Sequence, residues 1–322
     1  MKTTLIILFV MCLVLPLGAQ QFGQVGTSGA QILKINLDPR ASGLGYAATS
    51  VVHGAAAVYT NVAGLDRVTT GDVAFSYTPW FAGINIGSVV AAYRLPGIGV
   101  VGIQATGFSA SEEITTIAQE NGTGQTYAIQ NTVVGVSFAR ALTDRLALGV
   151  QAKYVSESYY SHTASGIAFD IGSQYDIGMS NACIALTLQN FGPNLSALSG
   201  TYSDYSDNNI VKPFNAVPLP VTFRASFSLE PLVSDFYRLR VIADLVHPND
   251  NLEHYTLGGE LWLADIAALR GGAMFNYDDE SFALGLGLRG DKILGQRVRI
   301  DYSFEKFSIL PNIHKIAVGF GF

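Results

Sequence analysis

From Asp72 to the last residue, large apolar side chains alternate with small or polar ones, and this period of two narrows the fold more than any other feature. Successive residues of a strand point to opposite faces. Leu146, Leu148, Val150, Ala152 and Tyr154 share one parity, opposite Gln151 and Lys153. Ile167, Phe169, Ile171 and Tyr175 oppose Asp170 and Gln174 in the same way, and Val221, Phe223, Ala225 and Phe227 oppose Thr222, Arg224 and Ser226. Phe282, Leu284, Leu286 and Leu288 stand against Gly285, Gly287 and Arg289, and Val298, Ile300, Tyr302 and Phe304 against Arg299, Asp301 and Glu305. With segments 72–78, 82–94, 97–108, 132–141, 181–191, 237–247, 254–263, 267–276 and 314–322, about fourteen strands are predicted. One face of the whole series is apolar and needs something apolar to meet.

Lipid is the solvent that suits such a face. Charged residues are 14% of the chain, against ~25% in ordinary soluble domains, while apolar residues are 49% and mean hydropathy is +0.30. No segment beyond the first twenty residues has the ~20 consecutive apolar residues of a spanning helix. The remaining spanning fold is a closed barrel, in which every backbone polar group is paired between strands. The expectation is an all-β transmembrane antiparallel barrel over 71–322. A net charge of −6 with scattered Lys and Arg argues against nucleic acid as a partner.

The connections test the strand count independently. If the first strand runs outward, those after every second strand face the periplasm: Leu95-Pro96, Thr143-Asp144, 177–180, 230–236, 264–266 and 290–295. All are short, and the two longest loops, Ser109 to Asn131 and Gly192 to Pro218, fall on the other side, as outer-membrane barrels arrange them.

Both chain ends fit export. Lys2, an apolar run from Leu5 to Leu17 and Leu17-Gly18-Ala19 have the order of a signal peptide over 1–19, with cleavage expected after Ala19. Cys12 falls in that peptide, which leaves Cys183, read as a small apolar strand residue. At the other end Ile316, Val318, Phe320 and Phe322 share one parity against Ala317, Gly319 and Gly321. This terminal strand resembles the assembly signal of outer-membrane barrels, which implies the barrel assembly machinery and outer-membrane lipid as partners. The expected location is the outer membrane of a Gram-negative bacterium.

Residues 20–70 read differently. They are rich in Ala and Gly without sustained alternation, and irregular backbone at membrane depth requires protein or water around it. A plug inside the barrel is predicted. Arg40-Ala41, Leu44-Gly45, Ala55 to Val58 and the stretch Asn61, Val62, Ala63, Gly64, Leu65 resemble the start of PorV/PorQ-type proteins, within the broad FadL-like group of outer-membrane barrels. Val62 stands where that group usually has Pro, and 142–154 is similar to its middle strand pair. The resemblance implies a non-enzymatic role in type IX secretion: binding exported proteins that carry a sorting domain, or the translocon, and passing substrates to surface-attachment proteins. The alternative within the same group is a FadL-like channel for hydrophobic small molecules, with Ile32, Leu33, Ile35, Leu37 and Leu44 lining a pocket or simply packing the plug.

The lumen is expected to collect Lys153, Asp170, Arg224, Arg240, Asp244, Glu260, Arg270, Arg289, Arg299, Asp301 and Glu305, as a neutralising network or a polar path. Gly285-Leu-Gly-Leu-Arg-Gly290 matches a dinucleotide fingerprint, but a strand follows it where the motif requires a helix. The five His have no metal spacing, no nucleophile elbow is present, and neither catalytic residues nor a cofactor are expected. Two external connections are apolar: Pro79-Trp80-Phe81, and 307–313 with Phe307, Ile309 and Leu310. Barrel closure makes the first and last strands neighbours. Trp80, Phe81, Phe307, Ile309 and Leu310 are therefore expected to form one partner-binding patch at the seam, or part of the interfacial girdle, with Tyr202, Tyr205 and Phe214 of the long loop opposite.

Overall fold

The computed structural model describes residues 25–322 apart from 117, 119, 121, 205–209 and 292–294. The signal peptide with Cys12 and Ala19, and Tyr205 of the long loop, lie outside the described residues. The strands are β1 (Gly71–Pro79), β2 (Asn85–Leu95), β3 (Gly99–Glu113), β4 (Thr126–Ala141), β5 (Leu146–Tyr159), β6 (His162–Asp176), β7 (Cys183–Phe191), β8 (Thr201–Asp204), β9 (Ile210–Pro213), β10 (Thr222–Val233), β11 (Tyr237–Pro248), β12 (His254–Leu263), β13 (Ala267–Phe275), β14 (Glu280–Arg289), β15 (Arg297–Phe307) and β16 (Ile313–Gly321). All but β8 and β9 form one closed barrel of fourteen strands, each paired with its neighbours in sequence. β1 meets β16 antiparallel, from Asp72↔Gly321 to Tyr77↔Ile316, and this seam removes the last edge.

Parity sorts the side chains as lipid and lumen require. Ile103, Val136, Val150, Ile171, Leu257, Leu284 and Leu286 are exposed on the outside. Gln104, Gln151, Asp170, Gln174, Thr187, Ser226 and Glu260 are buried on the inside. Exposed Tyr93, Tyr175 and Tyr237 sit near one rim, and Tyr77, Tyr255 and Phe275 near the other, where amphipathic rings favour the membrane interface. In the last strand Ile316, Phe320 and Phe322 point outward, Val318 is half-buried, and the Phe322 ring lies where a side chain at Gly71 would stand.

The connections at the rim where β1 begins are 96–98, 142–145, 177–182, 234–236, 264–266 and 290–296, all short. The longest connection, 192–221, is at the opposite rim and carries the two-stranded β8–β9 hairpin. The expected loop from Ser109 to Asn131 is shorter than the sequence indicated. β3 continues to Glu113 and β4 begins at Thr126, pairing Ser109↔Gln130 and Ser111↔Ala128. These residues stand above the apolar band, so the pairing extends where no hydrophobic alternation marks it. β5 and β6 likewise extend to a tight turn at 160–161.

Residues 25–70 run the length of the lumen. Gly29 donates its amide to Pro218 O at 2.9 Å and Lys34 meets Asp250 at 2.5 Å, both on connections of the outer rim. The chain then turns through the short helix α1 (Pro39–Gly43) and 3-10 turns at Ala55–Tyr59 and Val62–Arg67. It leaves at the periplasmic rim, where Arg67 meets Asp176 at 3.1 Å and Arg94 binds the carbonyl of Val68 at 2.6 Å.

Candidate functional site

The plug is keyed to the wall in two ways, and the first is a lane of glycines. Gly258, Gly272 and Gly285 lie on adjacent strands, and a Cβ on any of them would run into Gly43, Leu44 or Gly45 of the plug. Gly149 and Gly172 give the same close approach to Asn61, Val62 and Ala63. Asn61 caps the second 3-10 turn through Ala63 N at 3.1 Å, and its amide donates to Thr49 O and to Ser173 O of the wall, each at 3.0 Å. Ala63 and Leu65 are wholly buried, and Gly64 faces the carbonyl of Val52 with no room for a side chain. Val62 occupies the first position of that turn. Proline is tolerated there because that N–H has no partner within the turn, so Val62 fits where related chains have Pro.

The second key is ionic. Arg40 makes a bidentate contact with Glu260, both bonds 2.9 Å, and Arg270 reaches Glu260 at 2.9 Å and Asp301 at 2.6 Å. Arg240 approaches Glu260 at 3.5 Å and also pairs with Glu230. Lys315, fully buried, meets Glu305 at 2.7 Å, Ser42 at 2.8 Å and the carbonyl of Asn36 at 2.9 Å. Arg299 is bidentate on Asp72, at 2.7 and 2.8 Å, and Asp72 also accepts from Ala55 N at 2.5 Å. Lys153 pairs with Asp170 at 2.8 Å, and Asp244 accepts from Thr49 N at 3.1 Å. Of the residues expected in the lumen, most meet here; Arg40, Asp72, Glu230 and Lys315 complete the network.

The outer half holds an apolar cluster, beside which the buried Glu157 accepts from Ala30 N at 3.2 Å. Ala30 and Ile32 of the plug pack with Val133, Val155, Ala164, Ala168, Leu195 and Leu219, and Leu33 lies against the same cluster. Leu44 belongs to a separate inner cluster, so the apolar plug residues do not share one pocket.

Below the network, polar cavities open toward the periplasmic rim. The inner one, about 30 Å³, is lined by Arg40, Arg270, Arg289, Asp38, Asp301 and Trp262. His53 borders both it and a larger vestibule of about 200 Å³. Its Nδ1 lies 2.8 Å from Arg40 Nη1 and its Nε2 lies 3.3 Å from Arg289 Nη2. A neutral imidazole accepts at only one nitrogen, so in either tautomer one guanidinium faces an N–H. Burial, followed by the charges of Arg40 and Arg289, holds His53 well below the usual imidazole range.

The apolar loops meet at the seam. Phe81 packs edge-on against Phe307 with ring centroids 5.2 Å apart, and Trp80 lies 4.9 Å from Phe81. Phe307 differs from its expected exposed position: it is only 4% exposed, because β15 runs on to that residue and its parity turns the ring inward. Ile309 is 89% and Leu310 45% exposed, while Trp80 and Phe81 are half-buried. Phe214 meets His162 edge-on and Tyr202 at a tilt in its own rim region, away from the seam. Cys183 is buried and unpaired. No cluster of metal-binding side chains occurs among the described residues. His254 instead donates from Nδ1 to the carbonyl of Asn276 at 2.7 Å and stacks on Tyr277.

A closed antiparallel barrel with a lipid-facing apolar face, short turns at the rim of both strand termini and a polar plugged lumen is an outer-membrane β-barrel. Its fold is FadL-like. The chain is similar to the toluene transporter TbuX of Ralstonia pickettii, at 12% identity and a TM-score of 0.54, covering 88% of this chain and 98% of that one. It is similar to the monoaromatic hydrocarbon channel CymD, at 13% identity and a TM-score of 0.58, with 89% and 98% covered. A FadL homologue of Pseudomonas aeruginosa matches at 10% identity and a TM-score of 0.56, with 88% and 98% covered. The first two are named as a transporter and a channel, and at such identity the likeness is one of fold. No family model and no curated protein matches the sequence.

Proposed function

We propose that the chain is an outer-membrane channel for small hydrophobic molecules, gated by its own N-terminal segment. The observation that carries this is the outer apolar cluster, in which Ala30, Ile32 and Leu33 fill a chamber otherwise walled by Val133, Val155, Ala164, Ala168, Leu195 and Leu219. Apolar contact is non-directional, so an apolar ligand can replace those side chains at little cost. The FadL-like fold of hydrocarbon transporters supports the reading. Removing residues 25–33 should increase the binding of an apolar fluorescent probe to the purified barrel, and Val155→Trp, which fills the chamber, should abolish the increase. If proteoliposomes carrying either the wild type or the deletion take up toluene no faster than empty ones, the reading is wrong.

A second reading, a carrier in type IX secretion, draws on the outer rim. Ile309 and Leu310 project beside Trp80 and Phe81 at the seam, the arrangement of a docking patch. Its partners would be the translocon, sorting-domain substrates and surface-attachment proteins. Ile309→Ser with Leu310→Ser should leave barrel assembly intact and reduce co-purification of those partners from gently solubilised membranes; an unchanged yield would leave the patch as part of the interfacial girdle.

A further inference from the structure

Four guanidiniums converge on the periplasmic mouth of the lumen, with too few carboxylates to match them. The vestibule of about 200 Å³ is lined by Arg67, Arg289, Arg297 and Arg299, together with Asp72 and Asp291. Arg299 is taken up by Asp72, and Arg67 by Asp176 at 3.1 Å, which does not line the cavity. Among the described residues, neither Arg289 nor Arg297 has a carboxylate oxygen within 4.0 Å. Arg289 rests over the Trp262 ring at 4.2 Å with His53 at its tip, and Arg297 donates to the Thr69 hydroxyl at 2.6 Å.

The register makes this arrangement costly. Arg289 and Arg299 are direct cross-strand partners on β14 and β15, and Arg297 is the next residue of the same parity. Like charges placed directly opposite on a sheet repel. Relief of Arg289 within the lining is partial: the Trp262 ring face attracts it, Asp291 lies beyond ion-pair distance, and His53 is itself pressed between Arg289 and Arg40. An anion between Arg289 and Arg297 would offset the positive charge that Asp72 and Asp291 leave unmatched, and would engage the planar forks that fit carboxylate and phosphate oxygens. Arg297 is exposed, so the cavity is reached from the periplasm without moving the plug.

We infer that this vestibule is a binding site for an oxyanion, the carboxylate or phosphate group of a small molecule entering or leaving at the periplasmic mouth. The inference stands whether or not the outer half conducts apolar molecules. A free anion and the acid head of an amphiphile share this chemistry, and the test separates them.

Titration calorimetry on the detergent-solubilised barrel at low ionic strength would use three probes: inorganic phosphate, acetate, and octanoate below its micellar concentration. Saturable 1:1 binding of at least one is expected, weakened tenfold or more in the Arg289→Gln/Arg297→Gln double variant. Octanoate binding much more tightly than acetate identifies the head of an amphiphile; phosphate binding most tightly identifies a free phosphate. A structural role and a binding role also part in thermal unfolding. Without anion the double variant should melt close to the wild type, since the repulsion removed offsets the lost Trp262 and Thr69 contacts, and it should lose the rise in melting temperature that the anion gives the wild type. Heat-modifiable gel migration would establish that the variant is folded. Absence of saturable binding by the wild type for all three probes, or equal binding by the folded variant, would overturn the proposal.

Discussion

The inner and outer halves of the lumen hold the same N-terminal segment by different physics. In the inner half, residues 38–68 lie against glycine lanes and are tied by Arg40–Glu260, by Ala55 N to Asp72 and by Ser42 to Lys315. In the outer half, residues 29–33 are held by apolar packing and two backbone hydrogen bonds, Gly29 N to Pro218 O and Ala30 N to Glu157, with Lys34–Asp250 and Ser28–Asp250 at the rim. Buried ion pairs gain little net stability, but removing one partner strands a charge, so they fix one geometry. Apolar packing has no such directional demand. The contrast assigns rigidity to the periplasmic half and any opening to the outer half.

The largest expected effect comes from Glu260→Gln, which leaves Arg40, Arg240 and Arg270 around a neutral amide. A loss of about 3–5 kcal/mol is expected, read as a large fall in the temperature at which the barrel loses its heat-modifiable migration. A change no greater than that of an exposed substitution would show that the inner half is not fixed by its ions. Gly272→Val should cost about 1–3 kcal/mol by overpacking, since its Cβ would meet the backbone of Leu44 and Gly45. The barrel should survive while limited proteolysis cuts within residues 38–68; an uncut plug would mean that the glycine lane is dispensable.

A pH effect separates the halves further. The folded His53 pKa lies below its unfolded value of ~6.5, so its stabilising contribution is complete above that pH and is lost as pH falls through and below it. Arg40, Arg289 and Arg299 face the ring, with Asp38, Asp72 and Asp301 bordering the same cavities. Wild-type stability should fall as pH drops below about 6.5, and His53→Gln should flatten that fall. An identical slope in the variant would place the titration elsewhere. The smallest effect belongs to the outer latch. Lys34 is 36% exposed, so Lys34→Ala should cost under about 1 kcal/mol and leave the melting temperature nearly unchanged. Amide exchange should nonetheless quicken over residues 28–34. Protection as strong as in residues 55–65 would erase the distinction between the halves.

The barrel was legible because lipid imposes parity on every strand that crosses it. Val150 against Gln151, or Leu284 against Gly285, gives the face of each residue without knowledge of its neighbours. The polar ends of β3 and β4 were not legible, since above the membrane no apolar face is required. Phe307 was misplaced because a one-residue difference in where a strand ends decides whether a ring points to the rim or into the lumen. The site was legible only as a set of lumenal charges. Glu260 and Arg270 could be placed by parity, but the pairing of Glu260 with Arg40, 220 residues apart, follows from plug seating, which has no period to read. Lys315 shares its parity with small residues in the terminal strand, and its partners Asn36 and Ser42 come from the other end of the chain.

The path of residues 25–70 also sets an order of events. The chain passes from the outer rim to the periplasmic rim inside a ring of its own later strands, and that ring is complete only when β16 finds β1. A ring closed first could be filled only by drawing the segment through its whole length, past glycine lanes too narrow for a Cβ and charges already paired along the wall. The sheet is therefore expected to curl around residues 38–68 as a mandrel, and the joining of Asp72–Tyr77 to Ile316–Gly321 is the step that makes the enclosure permanent.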